Sequence, residues 1–260
     1  NYVGDPLVNL AITSMFILGG IGFTVLLDVW NKKKFKTLTL HSKVMIIGTI
    51  VINVIAIISI FLLEYSNPQT LGNLSFGDKV WSAYFQGLTP RTAGFNSIDI
   101  TALTVPTMLL TVLLMFVGAG SASTGSGIKL STFIILLLTT ITILKGGEEV
   151  SLFGRRIKSN AILRAFTLTM ISFLLVFVAI FILTITENGS FIAIIFEVVS
   201  AFGTVGLSAG LTSELTTIGK FVIMFVMFVG RLGPVTVASI LIARKENSLL
   251  RYPQEDVFIG

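Results

Sequence analysis

The sequence predicts an all-α integral membrane protein assembled from repeated units, each a spanning helix, a half-length helix, a glycine turn and a second spanning helix. Three observations carry that expectation. Of 260 residues, 53% are hydrophobic and 12% charged, with a mean hydropathy of +0.94. Charge that scarce cannot cover a water-soluble globule, so lipid is the solvent for most of the chain. Apolar runs long enough to cross a bilayer recur along the sequence. Finally, Met115-Phe116-Val117-Gly118 returns 112 residues later as Met227-Phe228-Val229-Gly230, and Gly94 of RTAGFNS returns at the same offset as Gly206 of GTVGLSA. Two landmarks with one offset define a repeat.

The apolar spans cover residues 7–29, 44–63, 105–144, 162–185 and 217–243. Twenty helical residues rise ~30 Å, one hydrocarbon core, whereas the 40 residues of the third would rise ~60 Å and must break. The break falls on 118–127, GAGSASTGSG, whose small polar residues tolerate membrane depth only if protein or water surrounds them. Two shorter apolar pieces, 79–90 and 191–202, reach about half a bilayer as helix and read as re-entrant half-helices before the glycine turns. Each turn glycine stands 21 residues before its Met-Phe pair, and a third copy of the pair occurs at Met15-Phe16. Counting back 21 from Met15 passes residue 1, so the first span is expected to close a unit whose other parts lie upstream.

Charge placement gives topology. Lys32, Lys33, Lys34, Lys36 and Lys43 share one loop, Lys145, Arg155, Arg156, Lys158 and Arg164 another, and Arg244, Lys245 and Arg251 the tail. The intervening loops hold Lys79, Arg91 and Lys220. This alternation is the positive-inside pattern, which makes the basic loops 31–43 and 145–164 and the tail cytoplasmic. It also accounts for the net charge of +5 without nucleic acid. Zero cysteines exclude disulfides and thiolate metal sites, and His41, the only histidine, lies in a basic loop without a partner ligand.

A half-helix that ends at membrane depth leaves backbone carbonyls free to replace a cation's hydration shell. Its C-terminus adds a partial negative charge at the same place. On these residues a resemblance rests. YFQGLTPRTAGFNS, FEVVSAFGTVGLSAG, GSASTGSGIK and FVGRLGPVT resemble the last two repeats of the Trk/Ktr/HKT superfamily of potassium transporters, over essentially the whole chain. The resemblance implies helix–pore-loop–helix units around a pseudo-fourfold ion pore, with K+, and Na+ as a second candidate, as the transported ion. It implies a homodimer docked on a cytoplasmic ring of nucleotide-binding subunits of the KtrA type, nucleotide being bound only there. Carried over, the filter glycines are Gly94 and Gly206, with flanking carbonyls from Thr92, Ala93, Thr204 and Val205. The intramembrane gate loop is 118–127, with Gly118, Gly120, Ser121, Ser123, Thr124, Gly125, Ser126, Gly127 and the following Lys129. The last-helix arginine is Arg231, which the offset sets at the depth of Ala119. The expected organisation is a closing helix in 1–30, a pore unit in 31–144, the last pore unit in 145–243 and a tail in 244–260. The tail's Val257, Phe258 and Ile259 are expected to bury against a second subunit.

Other functions fit less well. Gly120 and Gly125 have Walker spacing, but Ser126-Gly127-Ile128-Lys129 replaces the required Gly-Lys-Ser/Thr and no strand precedes. A broken-helix transporter for a small organic solute would need ionisable groups at the midplane, where Lys129 and Arg231 stand out and both are cations. An enzyme is not expected, since a Ser–Lys pair at Lys129 would have no substrate cleft.

Overall fold

The structure is a computed structural model that describes residues 4–147 and 149–233. Helix α1 (Pro6–Ile21) starts where Asp5 caps the amides of Leu7 and Val8 and Pro6 occupies the first turn. It does not run on to residue 29 as a single span. Gly22, at φ 101°, ends it, and α2 (Phe23–Lys32) leaves at 94°. Only glycine adopts that backbone angle without a Cβ clash, and here a Cβ would fall 2.4 Å from the carbonyl oxygen of Ser121. The expected closing helix is therefore a broken one.

Helix α3 (Leu40–Glu64) crosses as one piece of 25 residues with mean hydropathy 2.8. The half-helix α4 (Phe76–Leu88) follows, capped by the hydroxyl of Ser75 on the amide of Asp78. The third span is divided into α5 (Val105–Phe116) and α6 (Leu130–Leu144). A hairpin of β1 (Ser151–Leu152) and β2 (Arg155–Arg156) turns at Phe153 and Gly154, both at positive φ. The 28-residue α7 (Ser159–Thr186), the half-helix α8 (Phe191–Gly203) and α9 (Thr217–Leu232) complete the described helices. The expected end of the last span and the apolar tail lie outside the described residues.

Both half-helices have 13 residues, ~20 Å, and each is enclosed by longer helices. Helix α8 packs against α5, α7 and α9, with Phe196 and Phe202 fully buried in the main core. Helix α4 packs chiefly on α3 and α1. Helix α7 turns Phe166, Phe173, Phe177 and Phe181 outward, an apolar face suited to lipid. At the other extreme of the chain's chemistry, Lys43 lies 5.8 Å from the ring centre of Phe35 and 5.9 Å from that of Phe153. The two basic loops thus meet at one end of the molecule.

At the opposite end, one device recurs. Glu64, the last residue of α3, accepts hydrogen bonds from the amide and hydroxyl of Thr104, the residue before α5, at 2.9 and 2.7 Å. Glu187, the residue after α7, accepts the same pair from Thr216, the residue before α9, at 2.9 and 2.5 Å. In each unit a carboxylate clips the end of the first helix to the start of the last. Burial works against the charge of Glu187, but the Thr216 hydroxyl and amide outweigh it and hold the carboxyl below its usual 4.5. A depressed carboxyl stabilises the fold above about pH 4.5, and the contribution is lost as pH falls through the folded value. Glu187→Gln is therefore expected to lower the melting temperature at neutral pH and to flatten its decline on acidification. Thermal unfolding of the purified transporter from pH 7 down to pH ~3 checks both.

Candidate functional site

The two glycine turns carry the same backbone signature. Thr92 and Gly94 have φ of 71° and 71°, Thr204 and Gly206 of 46° and 91°, while Ala93 and Val205 between them are not in the positive region. In an extended strand successive carbonyls point to opposite sides. Inverting φ at alternate residues swings them to the same side, which lines them up along one path. Threonine at positive φ is strained, and such strain persists only where the surroundings impose it. The turns also face each other, because a Cβ on Gly94 would lie 2.3 Å from the carbonyl oxygen of Val205. All six expected carbonyl donors thus belong to two juxtaposed turns.

The loop 118–127 closes at its neck. Val117 and Ile128 form a parallel bridge, Ile128 donates to the carbonyl of Phe116 at 3.1 Å, and Leu130 to that of Ala119 at 3.1 Å. Its tip rests on the broken first span. The amides of Gly120 and Thr124 donate to the carbonyls of Gly20 (2.7 Å) and Gly19 (3.2 Å), and Phe23 donates back to Ala122 (2.9 Å). The carbonyls exposed where α1 ends are satisfied by the loop, which explains why the break at Gly22 is tolerated.

Two cations hold the loop from other sides. Arg231, near the end of α9, donates from Nη1 to the carbonyl of Thr124, and Lys129 from Nζ to that of Gly125. The loop hydroxyls bond elsewhere than to Arg231: Ser121 pairs with Ser131 (3.0 Å), Ser123 donates to the carbonyl of Gly120 (2.6 Å) and Ser126 accepts from Thr204 (2.8 Å). That last bond joins the loop directly to the second glycine turn. The other turn is equally near, since a Cβ on Gly125 would lie 2.9 Å from the Thr92 hydroxyl. Loop and turns form one cluster.

Two features beside the loop and turns are not evident from the sequence. The anchor formed by Gly19, Gly20 and Gly22 was legible only as a cluster of glycines within a span otherwise long enough to cross. Arg91, assigned to an outer loop with Lys79 and Lys220, is instead buried, 8% exposed, with Nη1 donating to Oδ1 of Asn53 at 3.0 Å.

The family of TrkH cation transport proteins matches residues 1–249. The chain belongs to that family. Over its full length the chain is 54% identical to the Ktr system potassium uptake protein B of Bacillus subtilis and 42% identical to that of Vibrio alginolyticus. Over 96% of its length it is 39% identical to the potassium/sodium uptake protein NtpJ of Enterococcus hirae. The chain spans 58%, 57% and 57% of these relatives. The crystal structure of the potassium transporter TrkH from Vibrio parahaemolyticus superposes with a TM-score of 0.76 at 19% identity, over 90% of this chain and 52% of that one. The fold is thus that of a TrkH-type transporter, and these relatives are named for cation uptake rather than for an enzymatic reaction.

Proposed function

We propose that the chain contributes two quarters of a selectivity filter to a protein that carries K+ across the cell membrane. The observation that carries the reading is the pair of facing turns with alternating φ at Thr92, Gly94, Thr204 and Gly206. Carbonyls lined along one path substitute for the hydration shell of a cation without needing any charged ligand. The printed name of the Enterococcus hirae relative extends the candidate ions to Na+.

The loop 118–127, held by Arg231 and Lys129 beside both turns, acts as the gate. Its position below the filter interrupts the path, and Arg231 adds a positive barrier to cations. In this reading two copies dock on a nucleotide-binding ring of the KtrA type; the relatives' names, which place them in a Ktr system, support a partner subunit and no more. The basic loops 31–43 and 145–164 face the cytoplasm in this reading, with the hairpin residues Arg155 and Arg156 among the candidates for ring contact. Uptake of radioactive rubidium by the full-length transporter in proteoliposomes tests the proposal. K+ should compete in proportion to its concentration and organic solutes should not. Solute-dependent transport without rubidium uptake would overturn it.

A further inference from the structure

Arg91 immediately precedes the first filter turn, and its depth can be read from its partner. Asn53 lies 13 residues from Leu40 and 11 from Glu64, the ends of α3, so it marks the middle of a spanning helix. The guanidinium is therefore buried near the bilayer midplane, where a charge costs several kcal/mol unless it is well hydrogen-bonded. Among the described residues the ion pairs are Lys32 with Asp28 and Arg156 with Glu149, so no carboxylate neutralises it.

The guanidinium faces a small cavity whose lining is mixed, with Phe16, Ile17 and Leu88 on its apolar side. The cavity, of about 10 Å³, is also lined by Arg91, Asn53 and Thr49 together with Gly20 and Ala119. Thr49 stands one turn from Asn53 on the same face of α3. Its hydroxyl and the Nε of Arg91 have no hydrogen-bond partner among the described residues. The volume suits about one water, and the two orphan atoms supply the polar partners a buried water needs. Other bonds also tie the turn: Arg91 donates its amide to Leu88 (3.3 Å), Ala93 donates to Thr89 (3.2 Å), and the Thr89 hydroxyl donates to the carbonyl of Phe95.

We infer that Arg91 is a positioning residue for the filter: its guanidinium, held by Asn53 and by one buried water shared with Thr49, locks the turn of Thr92, Ala93 and Gly94 to the middle of α3. A carbonyl ring discriminates ions only if its oxygens keep their places. Bonds within the turn fix its local shape, whereas a side chain anchored one residue upstream ties that shape to α3. This rests on the filter reading above. It assigns the task to the hydrogen bond to Asn53 rather than to the positive charge.

Sodium competition against rubidium uptake by the full-length transporter reads the effect, alongside the K+-dependent rise in melting temperature in detergent. Asn53→Leu and Arg91→Met should each weaken discrimination against Na+ by about tenfold or more, the factor matching a lost hydrogen bond to a charged group. Asn53→Asp keeps the acceptor while neutralising the charge, and should retain discrimination. Thr49→Val should give a smaller loss in the same direction. Should Arg91→Met fail to reach the membrane, the two Asn53 variants decide alone. Wild-type discrimination in Asn53→Leu, or equal loss in Asn53→Leu and Asn53→Asp, would overturn the inference. Gly94→Ser run in parallel separates the failures: if it too keeps discrimination, the filter reading falls; if it alone loses discrimination, only the role of Arg91 falls.

Discussion

Gly94→Ser is expected to erase most of the preference for K+ over Na+, and Gly206→Ser to reduce it less. Both glycines sit in the left-handed region, at φ 71° and 91°, where a Cβ costs about 1–2 kcal/mol. The surroundings then separate them. A Cβ on Gly94 would lie 2.3 Å from the carbonyl oxygen of Val205, so the opposite filter turn must shift. On Gly206 it would meet the Cα of Gly94 at 3.6 Å, an ordinary contact, leaving only the backbone strain. Gly146 provides a control, since it has φ 73° with open space around it and lies outside the turns. Gly146→Ser should leave ion preference unchanged. Sodium inhibition of rubidium uptake measures all three, and unchanged preference in both filter variants would remove the filter from these positions.

Shortening the loop by residues 121–126 should raise K+ flux, and Arg231→Ala should raise it by a smaller factor. The order follows from the bonds each removes. Arg231→Ala deletes the bond to Thr124, a charge-assisted contact of about 1.5–3 kcal/mol, or tenfold and upward in population. It leaves the loop resting on Gly19 and Gly20 through the amides of Thr124 and Gly120, and tied to Thr204 through Ser126. The deletion removes Thr124 and Ser126 together and with them most of these ties. If the segment were only a packed kink, both changes would damage packing and lower flux. Influx at matched membrane abundance distinguishes the two signs, and a fall in both variants would sink the gate.

The sequence made the half-helices and the divided third span legible because length is a strong signal in a membrane. Thirteen residues cannot cross, and 40 cannot cross unbroken. The paired glycine turns were legible because the 112-residue offset tied two weak glycine motifs together. Gly22 was hidden by the same logic, since residues 7–29 have the right length for one span and nothing in length alone marks a bend. Only the partner loop, a hundred residues away, supplies the hydrogen bonds that make the break stable. Arg91 was hidden by topology: a cation next to an outer turn reads as a loop charge until the re-entrant chain carries it back to the depth of Asn53. The carboxylate clips escaped because Glu64 stands 40 residues before Thr104 but Glu187 only 29 before Thr216. Unequal outer loops obscure the shared register.

Those clips have a mechanical consequence. Each unit is fastened to itself at the end opposite the basic loops, Glu64 to Thr104 and Glu187 to Thr216, with Thr70 and Asn67 adding further bonds to Glu64. A frame riveted along one rim and hinged elsewhere moves like a fan, its sticks pivoting at the fixed edge and spreading at the free one. The free edge here is where α1 breaks at Gly22, where the third span opens into its loop, and where the basic loops gather around Lys43. Displacement imposed at that edge is expected to move the loop more than the clipped rim. In the reading proposed above, one mouth of the path then keeps its shape while the other changes, so access at one side and release at the other become separable properties of a single piece of architecture.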